Sequence, residues 1–131
     1  MIITVSAQEI KKGLPVKDGW YKATVKSIDS KPSKDSQSIN YTTIVTIDDG
    51  SHEGREIKDQ FNSKFMAPFS QFVSAITGNP VNGDQDLQID TDSLLAKQLK
   101  VKIKNDLYNG LMIPKFGAFL PVGVDTDSVP F

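Results

Sequence analysis

The sequence predicts an all-β domain with one helix, and three observations predict it. Four separate stretches alternate apolar and polar residues with period two. One stretch alone, Phe65 to Ile76, places its apolar residues at helical spacing. Turn formers such as Asp49-Gly50 and Asn82-Gly83 separate these stretches. Alternation rich in β-branched and aromatic residues marks a half-buried strand, whereas spacings of three and four mark a helix facing a core.

At the start, Ile2 to Val5 reads as a short strand, and Ser6-Ala-Gln-Glu9 has the spacing of a capping box that would open a helical turn through Ile10 and Lys11. Gly13, Pro15 and Gly19 then break the chain, so residues 1–18 read as an N-terminal arm. The domain proper spans 19–121. From Trp20 to Ile28, Tyr21, Ala23 and Val25 share one face, opposite Lys22, Thr24 and Lys26. Trp20 falls with the lysines. A polar segment, Asp29 to Ser38, leads to Ile39–Ile47, where Tyr41, Thr43, Val45 and Ile47 share a face. After a turn over 48–54, Glu56 to Phe61 sets Ile57 and Phe61 against Lys58 and Gln60.

Phe65, Phe69, Phe72, Val73 and Ile76 form one apolar stripe, read as core beneath a sheet. Asn62 or Ser63 is placed to cap the helix start, and Gly78 its end. Pro68 fits only a first turn, so the regular helix should begin near Ala67. Asn79 to Asp92 is an acidic connector. Its Asp84, Asp86 and Asp90 lack the glycine and the closing glutamate of a calcium loop. Leu99, Val101 and Ile103 then oppose Lys100, Lys102 and Lys104 in a clean strand. The residues to Gly110 turn the chain into a last strand, Leu111 to Phe119, which Pro114 assigns to an edge or bulge.

Composition narrows the function. The 131 residues fit one domain, contain no cysteine, and hold a single histidine, His52, in a turn. No thiolate site, familiar nucleophile–base pair or phosphate-cradling loop can be assembled, so neither an enzyme nor a metal, cofactor or small-molecule site is expected. Neither a membrane span nor a secretory leader is legible, which gives a cytoplasmic expectation. The net charge of −1 conceals clustering: residues 11–34 carry seven Lys and two Asp, and residues 97–115 carry five Lys and one Asp.

Three strands, a helix and a closing hairpin follow the order of the OB-fold, a five-stranded Greek-key barrel. Its nucleic-acid site uses strands two and three and the loops joining strands one to two and four to five. In this chain those loops are 29–39 and 105–110. A cationic groove with a few aromatic faces suffices to hold single strands. The candidate residues are Trp20, Lys22, Lys26, Lys31, Lys34, Tyr41, Arg55, Lys58, Lys100, Lys102, Lys104, Tyr108 and Phe116. Tyr41 shares its face with Val45 and Ile47, so a core role suits it equally. The lysines of the 99–104 strand would also serve simply to protect a solvent-facing edge.

The last residues, Asp125-Thr-Asp-Ser-Val-Pro-Phe131, form the sharpest motif. This ending resembles the C-terminal tip of bacterial single-stranded DNA-binding proteins, where acids lead into a hydrophobic residue, Pro and Phe. Val129, Pro130 and Phe131 match that tip, and Asp125 and Asp127 stand for its acidic run. The body, with Gly19-Trp-Tyr, Lys31-Pro-Ser-Lys34, Gly54-Arg55 and Tyr108-Asn-Gly110, is similar to small phage-encoded single-stranded DNA-binding proteins. The long Gly/Pro-rich linker of the bacterial proteins is missing. The resemblance implies sequence-nonspecific binding of single-stranded DNA in replication, recombination or repair. It also implies that residues 122–131 are a short acidic tail whose tip docks replication and recombination proteins. The alternative is an OB-fold protein-interaction or assembly module that does not itself bind DNA.

Overall fold

The computed structural model describes residues 1–126, with Lys11 and Lys12 as backbone only. The four alternating stretches and the last stretch with Pro114 become five antiparallel strands: β1 (Gly19–Pro32), β2 (Ile39–Ile47), β3 (Glu56–Asn62), β4 (Gln98–Tyr108) and β5 (Leu111–Leu120). They form one sheet in the order β3-β2-β1-β4-β5. The expected strand order, with a helix between the third and fourth strands, is what the chain adopts. Several strands outrun their sequence-based limits, which shortens the loop after β1 to 33–38 and the last turn to Asn109-Gly110.

A bulge explains how β1 serves two neighbours. The β1–β2 register shifts between Val25 and Ser27, which takes Lys26 out of the ladder. Before the bulge Ala23 and Val25 point inward; after it Ile28 does, opposite the buried Thr43. Strict alternation would have put Ile28 on the lysine face. The extra residue reverses the phase and bends the strand. Gly19 to Lys22 are laddered to β4, Ala23 and Thr24 to both β4 and β2, and β1 from Val25 onward to β2 alone.

The sheet is not closed by a hydrogen-bonded ladder, but its two edges meet through one side chain. Asp59 on β3 accepts from the Phe116 backbone N–H of β5 at 2.9 Å and from Lys115 Nζ at 3.4 Å. Behind this seam Phe61 lies 6.1 Å from Phe116 and 6.0 Å from Phe119, ring centre to ring centre. Pro114 does sit on an edge strand, as expected.

Two α-helices are described: α1 (Ala7–Gly13) and α2 (Ala67–Thr77). In α1 the Ser6 hydroxyl accepts from Glu9 N–H at 3.2 Å, the expected cap. No strand forms over 2–5; an isolated β-prone segment has no ladder to join. Helix α2 begins at Ala67 with Pro68 in its first turn and ends at Gly78, whose left-handed φ of 77° suits a residue without Cβ. It buries Phe69, Phe72, Val73 and Ala75, with Phe72 fully enclosed and 5.3 Å from both Phe61 and Phe119. Asn62 and Ser63 do not cap it. Met66 holds that position without a side-chain bond, while Ser63 Oγ accepts from Ile39 N–H and Asn62 Oδ1 from Lys64 N–H. Phe65 therefore precedes the helix, leaves the stripe and stands 67% exposed.

Candidate nucleic-acid interface

Antiparallel register assembles the strongest cluster. On β1 and β4, Trp20 stands opposite Lys102 and Lys22 opposite Lys100. These residues lie on the outward side, since Leu99, Val101 and Ile103 between them are fully buried. Lys104 continues the row. One face of two paired strands thus carries an indole and four ammonium groups, and β5 adds Ala118 and Leu120 opposite Lys102 and Lys100. Gly117 makes room within this face: a Cβ there would press at 3.3 Å on the aliphatic stem of Lys104 and at 3.4 Å on the Lys102 carbonyl.

The acids near this face have structural duties. Asp48 Oδ2 accepts from Thr24 Oγ1 at 2.6 Å and from Gln98 Nε2 at 3.2 Å, tying β1 to β4. Asp49 Oδ1 accepts from Lys22 N–H at 3.2 Å. Asp18 accepts from the Asn105 side chain at 2.8 Å and from its backbone N–H at 3.0 Å. Those two bonds, with weaker attraction from Lys104 and Lys102, hold the Asp18 carboxyl below the usual carboxylate range.

Not every candidate joins the cluster. Tyr41 turns inward, its ring stacked 6.3 Å from Phe69 against the core. Phe116 is half-buried among Phe61 and Phe119. Both are wall residues of the core, because each falls in register with buried neighbours. Lys26 is exposed at the bulge and paired with Glu56. Lys100 Nζ donates to the Val124 carbonyl at 2.5 Å, so the chain leaving β5 crosses this end of the face. Tyr108 is exposed at the tip of the β4–β5 hairpin. Arg55 is half-buried after the β2–β3 turn.

Lys31 and Lys34 lie at the other end of β1 from Trp20, so they do not converge with Tyr108 as the loop assignment suggested. About ten residues of strand lie between Trp20 and Lys31, a contour of some 30 Å. Lys34 lies in the loop after β1, whereas Lys31 belongs to a second outward face, where it opposes Asn40 and where Lys58 opposes Ile44. Asn62 Nδ2 donates to Asn40 Oδ1 at 2.7 Å across it. At its end stand Lys64 and the exposed ring of Phe65, which sequence reasoning assigned to the helix stripe. Pro68 was the available signal: a helix that starts at Ala67 cannot carry Phe65 on its face. Asp125 is exposed, whereas Asp127, Val129, Pro130 and Phe131 lie outside the described residues.

No family model matches the chain, and no curated protein matches it. Among the described residues no helix is long and apolar enough to cross a membrane.

Proposed function

We propose that this protein coats single-stranded DNA without strong sequence preference, on an OB-fold, in phage DNA replication, recombination or repair. The observation that carries the reading is the register that puts Trp20, Lys22, Lys100, Lys102 and Lys104 on one outward face. Lysines there neutralise phosphates, and the indole offers a surface on which a base stacks for about 1–3 kcal/mol. Contacts of this kind read charge and ring faces, not base edges, which is why sequence preference is weak. The OB-fold reading is supported by the strand order, the helix between β3 and β4, and the approach of β3 to β5 at Asp59. Under the same reading the tail that follows Asp125 presents Phe131 to replication proteins.

Trp20 is the one tryptophan and reports the event directly. Titration with oligo-dT should quench its emission, and an equal length of duplex should do so far more weakly. Equal binding of both would sink the proposal.

An assembly module without DNA binding is the second reading. The observation favouring it is the apolar tip of the β4–β5 hairpin, where Leu107, Leu111 and Met112 are exposed. Under it, oligo-dT leaves Trp20 emission unchanged.

A further inference from the structure

We propose that residues 1–15 and the tip of the β4–β5 hairpin are two halves of one interface, and that each is covered by a second copy of this chain. The arm leaves its apolar side chains largely uncovered: Ile2 is 94% and Ile3 76% exposed, and Val5, Ile10 and Leu14 are exposed too. Helix α1 has only seven residues. Helices shorter than about 12 residues are marginal in water without a packing partner. Val16 is the first buried side chain among the described residues. Its carbonyl accepts from Asn105 Nδ2 at 2.6 Å.

The hairpin is bare in the complementary way. Leu107 is 72% and Leu111 67% exposed, beside Tyr108 and Met112. The β1–β4 ladder stops at Gly19 opposite Ile103, so β4 beyond Lys104 is laddered to β5 alone. Asp18 occupies the Asn105 N–H, which leaves Asp106 to Tyr108 as an open edge. An extended Ile2–Val5 segment, rich in β-branched residues, has the character and length to add there as a strand. The outer edge of β5 is the poorer acceptor. Phe116 N–H points outward to Asp59, so by alternation Pro114, which has no N–H, faces the same way.

The occupant is a second copy because the chain carries both halves and roots them together. Asn105 fixes Val16 and Asp18 at the base of the hairpin, so the arm springs from beside the surface it would cover. A two-fold axis at that place lays each arm on the other hairpin and closes the assembly. A foreign protein on either half would leave the other exposed.

Sedimentation velocity of the full chain without DNA, at a concentration on the order of 100 µM, tests this independently of any DNA binding. A dimer is expected. Ile2→Asp with Ile3→Asp should give a monomer, as should deletion of residues 1–13. Leu107→Asp with Leu111→Asp should do the same. Mixing the arm variant with the hairpin variant should restore a weaker dimer, because one intact arm still meets one intact hairpin. A monomeric full chain, a dimer that survives either substitution, or a mixture that stays monomeric would each overturn the proposal.

Discussion

At the scale of the residue, the outward lysines and the inward aliphatics of β4 have opposite consequences. Lys102 is half-exposed and Val101 is fully buried. Val101→Asp would place an unpaired carboxylate in the core and should unfold the domain. Lys102→Ala should leave thermal stability nearly unchanged. Equal destabilisation of the two would mean the strand faces the other way. Asp18 gives the residue scale a pH dependence. Its carboxyl is held low in the folded chain, chiefly by Asn105, so folding favours the ionised form. That contribution is complete above the ordinary carboxylate pKa and is lost as pH falls through the lower folded value. The difference in unfolding temperature between the native chain and Asp18→Asn should therefore be largest near neutrality and shrink toward about pH 3. A difference that stays constant over this range would remove Asn105 as the cause.

At the scale of the element, the seam between β3 and β5 depends on one carboxylate. Asp59→Ala would leave Phe116 N–H without its acceptor and should cost about 1–3 kcal/mol in urea unfolding. Lys115→Ala should cost less than about 1 kcal/mol, because that ion pair is partly exposed. If the two losses were equal, the ion pair rather than the backbone bond would hold the seam. Elements were mostly legible from the sequence because alternation is a local signal. The runs from Ile39 to Ile47 and from Leu99 to Lys104 name their own inner faces. Pro68 and Gly78 mark the ends of α2. The bulge at Lys26 was not legible, since nothing in the order of residues says that β1 must serve two partners. Phe65 went astray because helical spacing persists arithmetically past the point where the helix starts. Ile2 to Val5 has strand composition, but a strand needs a neighbour, and no described residue of the same copy is laddered to it.

At the scale of the whole molecule, net charge says little and placement says much. A protein of net charge −1 presents four lysines and a tryptophan on one face because two strands pair in a particular register. The cluster was half legible. Each lysine face could be read from its own strand, but only the pairing of Trp20 with Lys102 joins them. Lys31 and Lys34 were expected beside Tyr108 on the strength of loop order alone. The length of β1 carries Lys31 to its far end and Lys34 into the loop beyond it. The tail extends the account: Phe131→Ala should abolish capture of replication proteins and leave DNA affinity intact, and unchanged capture in a pull-down would remove the docking role. The central claim is that this face holds the phosphates of single-stranded DNA. It is tested most directly by the salt dependence of oligo-dT affinity, measured for the native chain and for Lys102→Ala with Lys104→Ala. Each phosphate neutralised contributes about 0.7 to the log–log slope for single strands. The double variant should bind more weakly with a slope shallower by about 1.4, whereas an unchanged affinity and slope would contradict the account.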